Sequence, residues 1–255
     1  VSLLIGPIPG GLAIVTIIVG VIFAGISGSG PADTAALGMI LYPAMIAMGY
    51  EKGYTGALIA GSGSLAIIIP PSIALIIYGV ITNTSVPALF AAGVIPGIIT
   101  SLMLIVPSFF IAKRHGWKGE RWGTPKEIWQ AFKAAIWGLL APVIILSGIY
   151  GGIFTATEAA VVAVFYGLFI GFFVYKTLTL KMFYGIFRDA VLSSAVVMFI
   201  VAFAGLFSWT GSTLGVMDKT SSYLLSLSSN PFIIMVLINL MLLVAGMLMD
   251  AISIY

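Results

Sequence analysis

The chain has 255 residues, of which 61% are hydrophobic and only 7% charged, with a mean hydropathy of +1.20. A soluble core of this size needs far less apolar surface, so the chain reads as an integral membrane protein. The lack of cysteine excludes a disulfide or thiolate-metal framework, and a net charge of +3 gives no reason to expect a nucleic-acid partner. Long apolar runs without strict alternation satisfy the backbone as helices rather than as a barrel, which makes the fold class all-α.

From Leu12 to Ile26 the chain is apolar, residues 27–33 ("SGSGPAD") break the run, and residues 34–49 resume it. Each arm holds about 15 residues, short of the roughly 20 that cross a bilayer as a helix. Residues 8–49 are therefore predicted as a re-entrant hairpin. Its polar tip must point into protein or a cavity, because irregular backbone at membrane depth is tolerated only there. Ser27, Gly28, Ser29 and Gly30 supply hydroxyl oxygens and a backbone free to turn carbonyls inward, which suits a small hard cation. Asp33 is costly at depth, by roughly 2.5–3.5 kcal/mol on insertion scales, and so asks for a partner. The alternative for Asp33 is helix capping, as the residue that opens "TAALGMI".

Residues 54–83 are long enough to cross but are interrupted by Gly61, Ser62, Gly63 and Ser64 and then by Pro70 and Pro71. Proline lacks the amide hydrogen and moves its predecessor out of the helical region, so a broken helix is predicted with its break near residues 67–72. The freed carbonyls of that turn, Ile69 and Pro70 among them, lie beside Ser72 as a second source of cation ligands. Ser62 and Ser64, with Ser29 and Gly30, are candidates to lie next to a substrate; close helix packing is the competing role for Ser62 and Ser64.

Residues 88–112 form the next span and lead into "KRHGWKGERWG", where His115 is expected as a solvated loop residue. Of the eleven basic residues, all but Lys52 and Lys219 fall into two patches, Lys113 to Lys133 and Lys176 to Arg188. The positive-inside rule assigns both patches to the cytoplasm. Residues 134–176 then hold two spans, an even number that returns the chain to that side. Segments 125–135 and 179–188 mix aromatic and basic residues as interfacial helices do. In "TATEAA", Thr155 and Glu158 have the spacing of a capping box. Residues 189–211 cross outward, residues 215–230 stay near the outer surface, and 231–255 begin a second hairpin. Asp33 and Asp250 each follow an apolar helix and an Ala-Gly pair, from opposite sides, which has the form of an inverted repeat. The chain starts and stops within apolar pattern and is expected to be a fragment of a longer subunit.

"FAGISGSGPADTAALG", "IIPPSIALIIYG", "LFAAGVIPGI", "GIYGGIFTATEAAVVA" and "GMLMD", in this order, resemble the large membrane subunit of the tripartite ATP-independent periplasmic (TRAP) transporters. The resemblance implies an inverted-repeat secondary transporter of elevator type with re-entrant helical hairpins and a broken helix. It also implies coupling to Na+, an organic-acid substrate such as sialic acid or a C4-dicarboxylate, a periplasmic solute-binding protein, and a small membrane subunit, separate or fused. Localisation would be the bacterial inner membrane, multi-pass, and no enzymatic activity is implied. The resemblance assigns Na+ to Ser27, Gly28, Ser29, Asp33 and Thr34 at the tip and to Ile69, Pro70 and Ser72 at the broken helix. Asp250 is the candidate for a second site. Pro31 departs from the family pattern, and the second broken helix of the family is not present. Competing readings are a cation-coupled carboxylate carrier that needs no binding protein and, further off, a channel or structural membrane subunit.

Overall fold

A computed structural model of the chain describes residues 1–5, 7–117, 119, 121–228 and 230–248. Among these the regular structure is helical: α1 (Ser2–Ile5), α2 (Gly11–Ser27), α3 (Gly30–Ala47), α4 (Lys52–Ser64), α5 (Ile73–Thr82), α6 (Val86–His115), α7 (Pro125–Tyr150), α8 (Ala156–Phe169), α9 (Leu180–Thr213), α10 (Val216–Leu227) and α11 (Pro231–Gly246). A 3₁₀ turn, Leu65–Ile67, extends α4, and a π turn, Ile170–Val174, extends α8.

Among the described residues, four helical segments are long and apolar enough to cross a membrane: Val86–His115, Pro125–Tyr150, Ala156–Val174 and Leu180–Thr213. By contrast α2 has 17 residues and α5 has 10, rises of about 25 Å and 15 Å against a hydrocarbon core of about 30 Å. The chain forms two compact units, Val1–Thr177 and Leu178–Tyr255. In the second unit α9, α10 and α11 follow one another along the chain, and neither α9 nor α11 has a buried residue.

Local chemistry explains most helix ends. Gly28 takes a left-handed conformation (φ 62°) and donates its amide to Ala24 O, which closes α2. Gly30 and Pro31 then begin α3 at once, since proline in a first turn is preorganised for helix. The break is thus confined to Gly28 and Ser29, narrower than the expected 27–33, and Asp33 lies inside the first turn. Capping boxes form at Thr124 with Glu127 and at Thr155 with Glu158, as the second spacing predicts. The segments expected as separate interfacial helices, 125–135 and 179–188, are instead continuous with α7 and α9. Neither proline nor a glycine turn follows them, so nothing stops the helix.

In the first unit, Ala13, Ile17, Met45, Leu58 and Leu65 form one core among α2, α3 and α4. A second cluster of Phe90, Ile145, Ile149 and Ala159 joins α6, α7 and α8. Lipid tails are as apolar as leucine, so close backbone approach rather than dehydration must hold such helices together. Two glycines provide it: a Cβ at Gly20 would lie 2.9 Å from Ser62 O, and one at Gly63 would lie 2.7 Å from Thr34 N. Together they press α4 onto α2 and α3.

Candidate functional site

The two interruptions meet. The Ile73 amide, first in α5, donates to the Gly28 carbonyl at 3.1 Å, and a Cβ at Gly28 would stand 2.7 Å from Pro71 O. The stretch between the 3₁₀ turn and α5 contains a cis Pro70–Pro71 peptide. Ser72 bridges the gap: its hydroxyl donates to Ile67 O at 2.7 Å and accepts from Leu75 N at 3.5 Å. Among the described residues no backbone amide donates to the carbonyls of Ile68, Ile69, Pro70 or Pro71. The last carbonyls of α2 also lack amide donors within their own helix, as at any helix C-terminus.

Asp33 is only 2% exposed. Its Oδ1 accepts from Ser27 Oγ at 2.5 Å, and Ser27 Oγ accepts in turn from the Ser29 amide at 3.1 Å. The side chain therefore ties the first turn of α3 to the end of α2 rather than capping α3 through its amides. Its Oδ2 is buried without a hydrogen-bond partner. A buried, half-satisfied carboxylate is expensive unless a cation or a proton completes it. Oxygen donors without hydrogen atoms of their own, grouped with one carboxylate, are the donor set a hard monovalent or divalent cation takes.

Ser27, Gly28, Pro71, Ser72, Phe90 and Ala160 are among the residues around a cavity of about 180 Å³ at this junction. A neighbouring cavity of about 300 Å³ shares Ile26, Ile145 and Ala163 with it and runs along α8 to Tyr175. On the other side of the broken stretch, Ile69 and Pro70 line an apolar cavity of about 400 Å³ with Ile18, Val94 and Leu102. Ser27 and Ser72 stand in the wall of the first cavity among apolar residues, and the cavity at Ile69 and Pro70 is apolar apart from Ser101.

The remaining candidates separate. Thr34 and Gly30 face α4, Thr34 against Gly63 and Gly30 against Ile67. Ser62 is fully buried where Gly20 meets α4, and its hydroxyl donates to Leu58 O at 2.7 Å. Ser64, at the end of α4, donates to Gly61 O at 2.8 Å. Asp250 lies outside the described residues. His115 ends α6, where its ring stacks on Trp117 at 4.7 Å. Sequence reasoning missed Phe90 and Ala160 in the cavity wall and the packing role of Gly63. Phe90 sits in an ordinary apolar run, and only the glycine-serine alternation of "GSGS" hinted at Gly63.

Interrupted, proline-broken helices meeting beside a buried carboxylate, among four helices long enough to cross a membrane, define a multi-pass membrane protein of permease type. The family model described as "Tripartite ATP-independent periplasmic transporter, DctM component" matches residues 1–255, and the chain belongs to this family. It is 40% identical over 251 residues to the isethionate TRAP transporter permease protein DctMQ of Oleidesulfovibrio alaskensis, covering 98% of this chain and 40% of the relative. Against the sialic acid TRAP transporter large permease protein SiaM of Vibrio cholerae, identity is 39%, covering 98% of this chain and 58% of the relative. Against the C4-dicarboxylate TRAP transporter large permease protein DctM of Pseudomonas aeruginosa, identity is 37%, covering 96% and 58%. The chain thus spans between 40% and 58% of the length of these relatives.

Proposed function

We propose that this chain is the substrate-translocating part of a Na+-coupled importer of an organic acid. The carrying observation is the Gly28–Ile73 hydrogen bond, which joins two interrupted helices beside Asp33. Na+ would be held at the junction by carbonyls of the α2 end and of residues 68–71, with the Asp33 carboxylate reached through Ser27. Ser27, Gly28, Ser29, Ile69, Pro70 and Ser72 set that geometry; Thr34 fixes the turn from behind through Gly63. A bound cation and the amide end of α3 would together attract a substrate carboxylate toward Ser29 and Gly30, with no arginine needed.

The relatives named for isethionate, sialic acid and C4-dicarboxylates support an organic anion as cargo. A re-entrant hairpin moving with the broken helix, elevator-like, against α7 and α8 is the transport step that fits two short, tip-joined helices. A second ion site at Asp250 in an inverted repeat, a small membrane subunit, a periplasmic binding protein and residence in the bacterial inner membrane belong to the same reading. The fused name DctMQ of one relative supports a small subunit that is separate or joined.

The test is uptake of labelled sialic acid, isethionate and succinate into proteoliposomes holding the full-length permease, with its binding protein, in sodium and in potassium. Accumulation that requires inward sodium is expected; equal rates in the two salts reject the coupling. Full activity without the binding protein would favour a self-sufficient carboxylate carrier instead.

A further inference from the structure

The described residues at both ends of the connection between α6 and α7 are held by hydrogen bonds. Trp117 accepts the Gly10 amide at its carbonyl, at 3.0 Å, and its ring stacks on Tyr50 at 4.4 Å and His115 at 4.7 Å. Gly123 donates to Leu3 O at 3.0 Å, which pins the other end of the loop. Arg121 forms a forked pair with Glu127, at 2.6 and 3.2 Å, and the bonds and charge of Glu127 raise the guanidinium's pKa above its usual value. That pair neutralises one cation and one anion together.

What is left is one-sided. Lys113, Arg114, Lys126 and Lys133 are exposed, and among the described residues no carboxylate forms an ion pair with any of them. On α7, Lys126, Trp129 and Lys133 follow helical spacing and share a face. Lys133 Nζ lies 5.3 Å from the centre of the Trp129 ring, and Trp129 stacks with Phe132 at 5.9 Å. Trp129 is 57% exposed. Beyond this charged turn α7 continues as a helix long and apolar enough to cross a membrane, so by the positive-inside rule the face would meet the headgroup layer.

We propose that the Lys126–Trp129–Lys133 face of α7 is a binding site for the phosphate of an anionic phospholipid of the inner leaflet. The cations match the phosphodiester charge, and the exposed aromatic pair beside them offers apolar surface to the glycerol and upper acyl chain. Free phosphate would use the first feature and not the second. The site is independent of the transport reading, since it touches neither Asp33 nor the broken helix.

Full-length protein in neutral detergent is titrated with short-chain phosphatidylglycerol, with phosphatidylcholine of the same chain length, and with inorganic phosphate, reading the thermal unfolding midpoint. Phosphatidylglycerol is expected to raise the midpoint at concentrations where the other two leave it unchanged. Each basic side chain near an anionic surface strengthens association about fivefold, so the Lys126→Gln, Lys133→Gln double variant should need about 25-fold more of the lipid. A Lys219→Gln variant loses a cation outside both basic patches and should respond as the unaltered protein does. An equal response to phosphatidylcholine or to phosphate, or an unchanged response in the Lys126→Gln, Lys133→Gln double variant, overturns the proposal.

Discussion

The Gly28 carbonyl accepts a hydrogen bond from the Ile73 amide at 3.1 Å, so the turn between α2 and α3 and the start of α5 are one hydrogen-bonded unit although 45 residues apart in number. Gly28 has φ 62°, and an added Cβ would meet Pro71 O at 2.7 Å. Gly28→Ala therefore combines a left-handed penalty with a collision against backbone, which cannot turn aside. We expect a loss of about 1–3 kcal/mol in thermal stability together with a large fall in uptake. Wild-type uptake in a folded Gly28→Ala protein would separate the junction from transport.

In the proposed ion site Asp33 would supply the charge, and Ser27 donates to its Oδ1. Asp33→Asn preserves size and still offers Ser27 an acceptor, but it removes the charge that a cation at Oδ2 would meet. The sodium concentration for half-maximal uptake is expected to rise about tenfold or more, in line with charged hydrogen bonds and their ionic equivalents. Ser27→Ala leaves the carboxylate in place and should raise it less. Sodium titrations of uptake distinguish the two; an unchanged half-saturation in Asp33→Asn removes this carboxylate from the ion site.

The packing of the tip against α4 gives a test that needs no transport assay. A Cβ at Gly63 would lie 2.7 Å from Thr34 N and 2.8 Å from Thr34 Cα, besides striking its Oγ1. Gly63→Ala should lower stability by about 1–3 kcal/mol, the usual cost of overpacking. Adding Thr34→Ala removes the hydroxyl and leaves the backbone contacts, so recovery is expected to be partial. Gly53, on the same helix with nothing within 4 Å, is the control: Gly53→Ala should be stabilising by about 0.5–1 kcal/mol. Chemical denaturation in detergent reads all three.

Breakers and charge were legible in the sequence because their effects are local. The adjacent pair Pro70–Pro71 removes two amide donors in succession, and the structure ends the 3₁₀ turn at Ile67 and restarts helix at Ile73, whereas the single prolines Pro43, Pro96, Pro107 and Pro142 stay inside helices. Thr155 and Glu158 announced a capping box that forms as spaced. Long-range partners were not legible. No local signal says that Ile73 rather than solvent takes the Gly28 carbonyl, or that Phe90 walls the cavity. For Asp33 the sequence leaves capping open as the alternative to a partnered carboxylate; the helix starts earlier than expected, with proline in its first turn, and the carboxylate meets Ser27. The family resemblance carried the class of protein, which the match over residues 1–255 bears out; ion coupling and cargo belong to an assembly that one stretch of helices does not encode, and they stand as proposals.

The sequence assigns Ser72 to the cation and Ser62 to the substrate or to helix packing, and the structure sends their hydroxyls to different carbonyls. Ser62 sits inside α4 and donates to Leu58 O, one turn back along its own helix. That carbonyl keeps its helical amide partner when the hydroxyl is removed, and alanine is the better helix former. Ser72 is 1% exposed and both caps α5 and holds Ile67 O across the break. Ser72→Ala strips a cap and strands a buried carbonyl, a cost of about 1–2 kcal/mol, and it frees residues 68–71 to move away from Gly28. We expect Ser62→Ala to stay within about 0.5 kcal/mol of the unaltered protein with the same sodium half-saturation. Ser72→Ala should lose stability and bind sodium more weakly, while Ser72→Thr, which keeps the hydroxyl, should recover part of both. Unfolding midpoints and sodium-dependent uptake for the three variants decide the matter: a sodium shift in Ser62→Ala with none in Ser72→Ala would move the ion site from the junction to the middle of α4.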